Sequence, residues 1–258
     1  MFITKKILNL LLLINVSFLF SACGSNDTLS SFPSATGDEK TESIEGYKEN
    51  SIVDSNGVEY KTVTSPFTKR VWIDRNVGAS ELCISLDDQK CYGYYFQWGR
   101  GSDGHEKLSS TTTILATDIS NTGHSNFILN TTVDESKPND WATSEFSDGS
   151  IRSYNWSKID GSSICPVGFR VPTNEEISLE VKNINNNEDA FSSFLKLPSA
   201  GYAAANDGLV HFAGEYGTLW SSTTDNDKSK HFGFYKDGVQ RNHTSFRGGG
   251  FSVRCIKD

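Results

Sequence analysis

The chain has 258 residues and a formal charge of −8, with 36% apolar and 12% aromatic residues. That length holds one domain with a real core, and the acidity argues against nucleic acid as a partner, because surplus carboxylates repel phosphate backbones. Sixteen Phe, nine Tyr, five Trp and twenty-two Gly against six Pro predict a core of flat rings in short strands and loops rather than a helix bundle.

Residues 1–22 read as a signal peptide. Lys5 and Lys6 form the positive start, and Ile7 to Phe20 is an apolar stretch interrupted by Asn9, Asn15 and Ser17, too short to span a bilayer. Phe20-Ser21-Ala22-Cys23 resembles a lipobox, which predicts cleavage before Cys23 and lipid on its sulfur. Cleavage removes two lysines and no acids, taking the charge from −8 to −10. By resemblance to the sorting rules of enteric lipoproteins, Gly24 favours the outer membrane, with the domain facing the periplasm or the cell surface. Several acyl chains, at about 0.8 kcal/mol per buried CH₂, make the membrane a durable partner. Residues 23–51 are Ser-, Thr-, Asp-, Glu- and Lys-rich without hydrophobic period, and predict a flexible tether.

The domain is expected over residues 52–258. Asp54-Ser55-Asn56-Gly57 signals a turn before an alternating strand Val58–Val63, and Val71–Ile73 is a second strand. Tyr92–Arg100 is an aromatic run, helix or strand. Ser109 to Asp140 is polar and poorly periodic, and reads as a long surface insertion. A helix is predicted from Asn174 to about Asn185, with Thr173 and Glu176 as a capping box and Ile177, Val181 and Ile184 as its buried stripe. A second short helix covers Glu188–Leu195, with Phe191, Phe194 and Leu195 inward. His231–Tyr235 is a strand, Lys236-Asp237-Gly238 a turn, and Val239 begins the returning strand. Phe251, Val253 and Cys255 share one face of a last strand. Arg170 is expected to pair with a carboxylate near the helix start.

Beyond Cys23 four cysteines remain, which allow three pairings. Export makes disulfides accessible. Cys83 with Cys91 closes a short turn-prone loop, and Cys165 with Cys255 ties the segment before the helix to the final strand. No Cys-x-x-Cys stands in the chain, and His105, His124, His211, His231 and His243 show no ligand spacing, so no metal site is expected.

Cys165-Pro166-Val167-Gly168-Phe169-Arg170-Val171-Pro172-Thr173 resembles the "CPxGWRLPT" signature of the Fibrobacter succinogenes major paralogous domain family, with Phe169 for the usual Trp. Leu219–Thr223 resembles its "WWSST" block and Gly250–Asp258 its closing "GFSVRCVKD". Val71–Gly78 and Tyr92–Gly99 resemble its upstream regions more loosely. The resemblance implies an α+β, C-type-lectin-like fold, related to the formylglycine-generating enzymes: short twisted antiparallel strands, one or two helices, long loops and two disulfides. It also implies paired terminal strands and a disulfide from the late strand to the helical region, in agreement with Cys165–Cys255. Every residue of the three blocks is expected to be structural.

The function expected is a non-enzymatic binding domain for carbohydrate or surface protein, with a structural role in envelope assembly as the alternative. Its candidate surface is Asp225, Asn226, Asp227, His231, Tyr235, Arg241, Asn242 and His243, a polar and aromatic mix. No cofactor is expected. Calcium has weak support from Asp225-Asn226-Asp227 and Pro138-Asn139-Asp140, since the Glu-Pro-Asn tripeptide of sugar-binding lectins is missing. An enzyme of the formylglycine-generating type would need Cys165 and Cys255 as reactive thiols with copper, so no catalytic residue is assigned.

Overall fold

The computed structural model describes residues 52–131 and 139–258. The expected signal peptide, Cys23 and the tether lie outside the described residues, as does Pro138. The described chain is α+β, dominated by short strands, with three α-helices and the disulfides Cys83–Cys91 and Cys165–Cys255.

A three-stranded antiparallel sheet dominates: Tyr216–Asp225, then the central Lys228–Tyr235, then Gly238–Phe246. Its two faces are covered differently, because side chains alternate along each strand. Leu219, Phe232, Phe234 and Val239 face the helices Asn174–Glu180 and Asn187–Ser192, meeting Ile177, Val181, Ile184, Ala190 and Leu195. On the opposite face Trp220 enters the main core with Phe96, Trp98, Trp156, Phe251 and the Cys165–Cys255 bridge. Beyond Trp220, toward the Tyr216–Tyr235 end, that face is open.

Two four-stranded sheets of very short strands frame the core. In one, Ile256–Lys257 lies between Val71–Ile73 and Phe169–Arg170, so the chain's last strand pairs with an early one. In the other, Gly250–Phe251 lies between Phe96–Gln97 and the hairpin strand Tyr202–Ala203. The three motif blocks thus meet in the frame. Phe169 and Lys257 are register partners, and Trp220 stacks on Phe251 with ring centroids 4.1 Å apart.

The ring-rich composition is used as expected. All five tryptophans are at most 1% exposed. Four of their indole N–H groups donate to backbone carbonyls of other segments: Trp98 to Ser221, Trp141 to Trp98, Trp156 to Arg100 and Trp220 to Phe96. Each ring therefore adds a directional tie to its burial, which is worth roughly 1.5–3 kcal/mol for a large apolar side chain.

Several elements depart from expectation. The expected long helix forms with its capping box but stops at Glu180, where Val181 (φ −97°, ψ 8°) leaves the helical conformation, and the turn after it offers its carbonyls to Arg241. Val181 and Ile184 remain buried without being helical. The second helix is Asn187–Ser192, capped by Asn186, and Phe191 and Phe194 are only half-buried. The run Tyr92–Arg100 yields only Phe96–Gln97 as strand, since Gly93 (φ 74°) and Gly99 (φ 75°) bend it at both ends. The expected last strand is split between two sheets. A helix at Ser150–Ser157 has no apolar stripe to betray it, its buried side chains being Arg152 and Trp156.

The described part of the stretch Ser109–Asp140 is not a surface insertion. Phe127 and Ile128 are fully buried, and Ala116 and Ile119 pack with Trp141. Of its described apolar residues, Ala116, Ile119, Phe127 and Ile128 go inward, while Ile114 stays exposed. Its turns are held by the buried Arg100 guanidinium, which donates to the carbonyls of His124 and Asn126 and to Thr122.

Candidate ligand groove

The open end of the long sheet forms the floor of a groove of about 540 Å³. Tyr216 and Tyr235 are directly paired across the first two strands, and their rings stack at 6.0 Å. The Tyr216 hydroxyl reaches across the sheet and donates to Gln240 Oε1 at 2.6 Å. Gly233 makes this possible: a Cβ there would sit 2.3 Å from the Tyr216 hydroxyl oxygen. Burial, with Tyr202 and Tyr235 beside it, pushes the Tyr216 phenol up to about 12, so it stays a donor.

The outer strand reaches the groove through a bulge. Asn242 takes a left-handed conformation (φ 55°), and the register with the central strand slips between His231 and Gly233. Gln240 and His243, three positions apart, therefore both line the groove, while Arg241 and Asn242 between them turn to the helix side.

The wall opposite comes from the hairpin Tyr202–Ala203 and Val210–His211. It is fastened to the sheet by the Gly201 N–H donating to the Tyr216 carbonyl at 2.6 Å. Tyr202 meets Tyr216 edge-on at 6.2 Å and Phe251 at 6.0 Å. Phe212 follows with φ 56°, a conformation bulky side chains rarely adopt, and is 56% exposed at the rim. Glu215, also exposed, completes that rim.

His231 lies at the base, 2% exposed, edge-on to Trp220, Phe251 and its cross-strand partner His243, whose centroid is 5.2 Å away. Its Nδ1 has no hydrogen-bond partner. Burial first, and His243 second, push its pKa down to about 3, so it is neutral near pH 7.

The eight residues expected to form one surface fall into three groups. His231, Tyr235 and His243 line the groove. Asp225, Asn226 and Asp227 lie at the far hairpin tip, where Asn226 is left-handed, Asp225 is 3.7 Å from Lys230, and Arg247 donates to the Asn226 carbonyl. Arg241 and Asn242 are structural: Arg241 donates to the carbonyls of Val181, Lys182 and Ile184, and Asn242 Oδ1 accepts from Asn174 and Ser178. Sequence reasoning missed Tyr202, Phe212, Glu215, Tyr216, Thr218, Gln240, Ser245 and Phe251. Tyr216 and Thr218 carried a usable signal, the same two-residue alternation as His231–Tyr235. Tyr202 and Phe212 reach the groove only through the docking of a distant hairpin.

No family model, curated protein or solved structure matches this chain. The groove is therefore characterised by its own chemistry. Ring faces alternate with hydroxyl, amide and imidazole groups, and among the described lining residues none is Lys or Arg. Such a surface suits a ligand with both apolar faces and hydroxyls.

The other polar constellations are already satisfied. Asp103, His105 and Glu106 bring three donor groups within 4.8 Å of one another. However, His105 Nε2 accepts the Gln97 backbone N–H at 3.1 Å, which leaves the proton on Nδ1 to be donated to Asp103 at 2.7 Å. Asp103 also accepts from Arg100 and Thr122, and Glu106 from the Gly104 N–H. Burial holds His105 below its usual pKa. These are the bonds of a structural relay that closes the turn before residues 105–107. Of the weakly supported calcium oxygens, those of Asp140 are clamped by both terminal nitrogens of Arg152 at 2.7 Å. Cys165 and Cys255 are buried and bonded to each other, so neither sulfur is a thiol in this structure.

Proposed function

We propose that this chain is a lipid-anchored envelope protein of the Fibrobacter succinogenes major paralogous family, with a C-type-lectin-like domain that binds carbohydrate without transforming it. The aromatic groove carries this reading: Tyr202, Phe212, Tyr216 and Tyr235 offer ring faces to the CH-rich side of a sugar, with Gln240, His243 and Ser245 beside them for its hydroxyls. The family reading draws support from the paired terminal strands, the Cys165–Cys255 bridge and the meeting of the three motif blocks. Those blocks do scaffold work apart from Phe251, which also lines the groove, and the rest of the groove lies beside them, as a ligand site grafted on a fold would.

Two measurements test the proposal. Mass spectrometry of the membrane-extracted chain should find an acylated Cys23 at the N-terminus. A glycan array probed with that chain should give oligosaccharide signals that Tyr235→Ala abolishes. Binding unchanged by that substitution, or no glycan bound, overturns the groove reading. A specific observation supports the assembly alternative: Leu209, Val210 and Phe212 are 63%, 39% and 56% exposed on one hairpin. Crosslinking from that hairpin to another envelope protein, with the array blank, would favour it.

A further inference from the structure

We infer that the groove prefers a sugar bearing a free protonated amine over its N-acetylated or acidic counterparts. The inference rests on the carbohydrate reading and narrows it by charge.

Three observations carry it. First, Glu215 is the one carboxylate lining the groove, and among the described lining residues no Lys or Arg opposes it. Second, four rings gather there: Tyr202 edge-on to Tyr216, Tyr216 stacked on Tyr235, and Phe212 beside Tyr202 at 5.9 Å. Aromatic faces are electronegative, so an ammonium among them gains twice, from the rings and from the carboxylate. Third, of the cations within two positions of a lining residue, Arg241 is held by the carbonyls after the Asn174–Glu180 helix, Arg247 by those of Ser147, Asn226 and Lys228, and Lys230 lies 3.7 Å from Asp225, while Lys236 is exposed outside the lining. A uronate would bring its charge toward Glu215 and the ring faces with no cation in the lining to receive it. A neutral sugar gains the stacking alone.

The test is calorimetry on the full chain with three β-1,4-linked disaccharides, of glucosamine, of N-acetylglucosamine and of glucuronate. The expected order is glucosamine about five- to tenfold tighter than N-acetylglucosamine, with glucuronate weakest. The chain's charge of −8 attracts any cation, so the decisive reading is the ratio in Glu215→Gln. There the preference should collapse to about twofold, with the thermal midpoint unchanged. Equal binding of the amine and the acetamide, a preference for the uronate, or a ratio untouched by Glu215→Gln overturns the inference and leaves the carbohydrate reading standing. If none of the three binds and the wider glycan array is blank, both fall.

Discussion

Mild acid should destabilise this domain before its carboxylates titrate, and His231 sets the size of the effect. In the fold its pKa is pushed down to about 3 from an ordinary 6.5, by burial and then by His243. Between those values the unfolded chain binds a proton that the folded domain refuses. The contribution is therefore complete above about pH 6.5 and is lost progressively as pH falls toward about 3. The slope is roughly 1.4 kcal/mol per pH unit, so about 2 kcal/mol should be gone by about pH 5. His105, fully buried and likewise held below its usual value, adds loss of the same sign. Glu176, held down at about 2 despite its burial by its bonds to Arg170 and Thr173, loses its contribution only as pH falls through the usual carboxylate range toward about 2. The assay is urea unfolding of the oxidised chain, followed by the fluorescence of its five buried tryptophans, at about pH 7.5 and about pH 5. His231→Phe removes the titrating ring together with its unpartnered Nδ1, and should flatten the pH dependence to the share left by His105. A wild-type midpoint unchanged between the two pH values, or a His231→Phe slope equal to wild type, would refute the reasoning.

Other outcomes follow from the same geometry. Replacing Cys165 and Cys255 by Ala frees a bridge spanning 90 residues, against 8 for Cys83–Cys91. On chain entropy these should cost about 4.5 and about 2.5 kcal/mol respectively, read as shifts in the urea midpoint. Gly233→Ala would set a Cβ 2.3 Å from the Tyr216 hydroxyl. It should cost about 1–3 kcal/mol in urea unfolding and displace the Tyr216–Gln240 bond, with loss of glycan binding on the array. Thr173→Ala removes the side-chain acceptor of the Glu176 N–H and should lower stability by about 1 kcal/mol in the same assay, leaving sugar binding untouched.

What was legible beforehand is local or counted. The capping box Thr173–Glu176, the Lys236–Gly238 turn, the strand around His231–Tyr235 and the partner for Arg170 all rest on residues within a few positions of one another. The cysteine pairing followed from parity and loop length. Where a stretch gave no period, the reading failed. Ser109–Asp140 looked like a solvated insertion because its inward residues, Ala116, Ile119, Phe127 and Ile128, are too sparse to form a stripe and are buried by partners far along the chain. The helix Ser150–Ser157 was missed because its buried face is an arginine and a tryptophan.

The sequence by itself determined the caps, the turns, the short Cys83–Cys91 crosslink and the face each residue of the central strand presents, because those depend on near neighbours and on a two-residue alternation. Tertiary structure alone decided the groove. The bulge at Asn242 changed which outer-strand residues turn inward, separating His243 from Arg241 and Asn242. The docking of Gly201 on Tyr216 brought Tyr202 and Phe212 to face Tyr235. Both events are long-range: a register slip of one residue exchanges the two faces of a strand, and its cost is set by what each face packs against rather than by the strand's own residues.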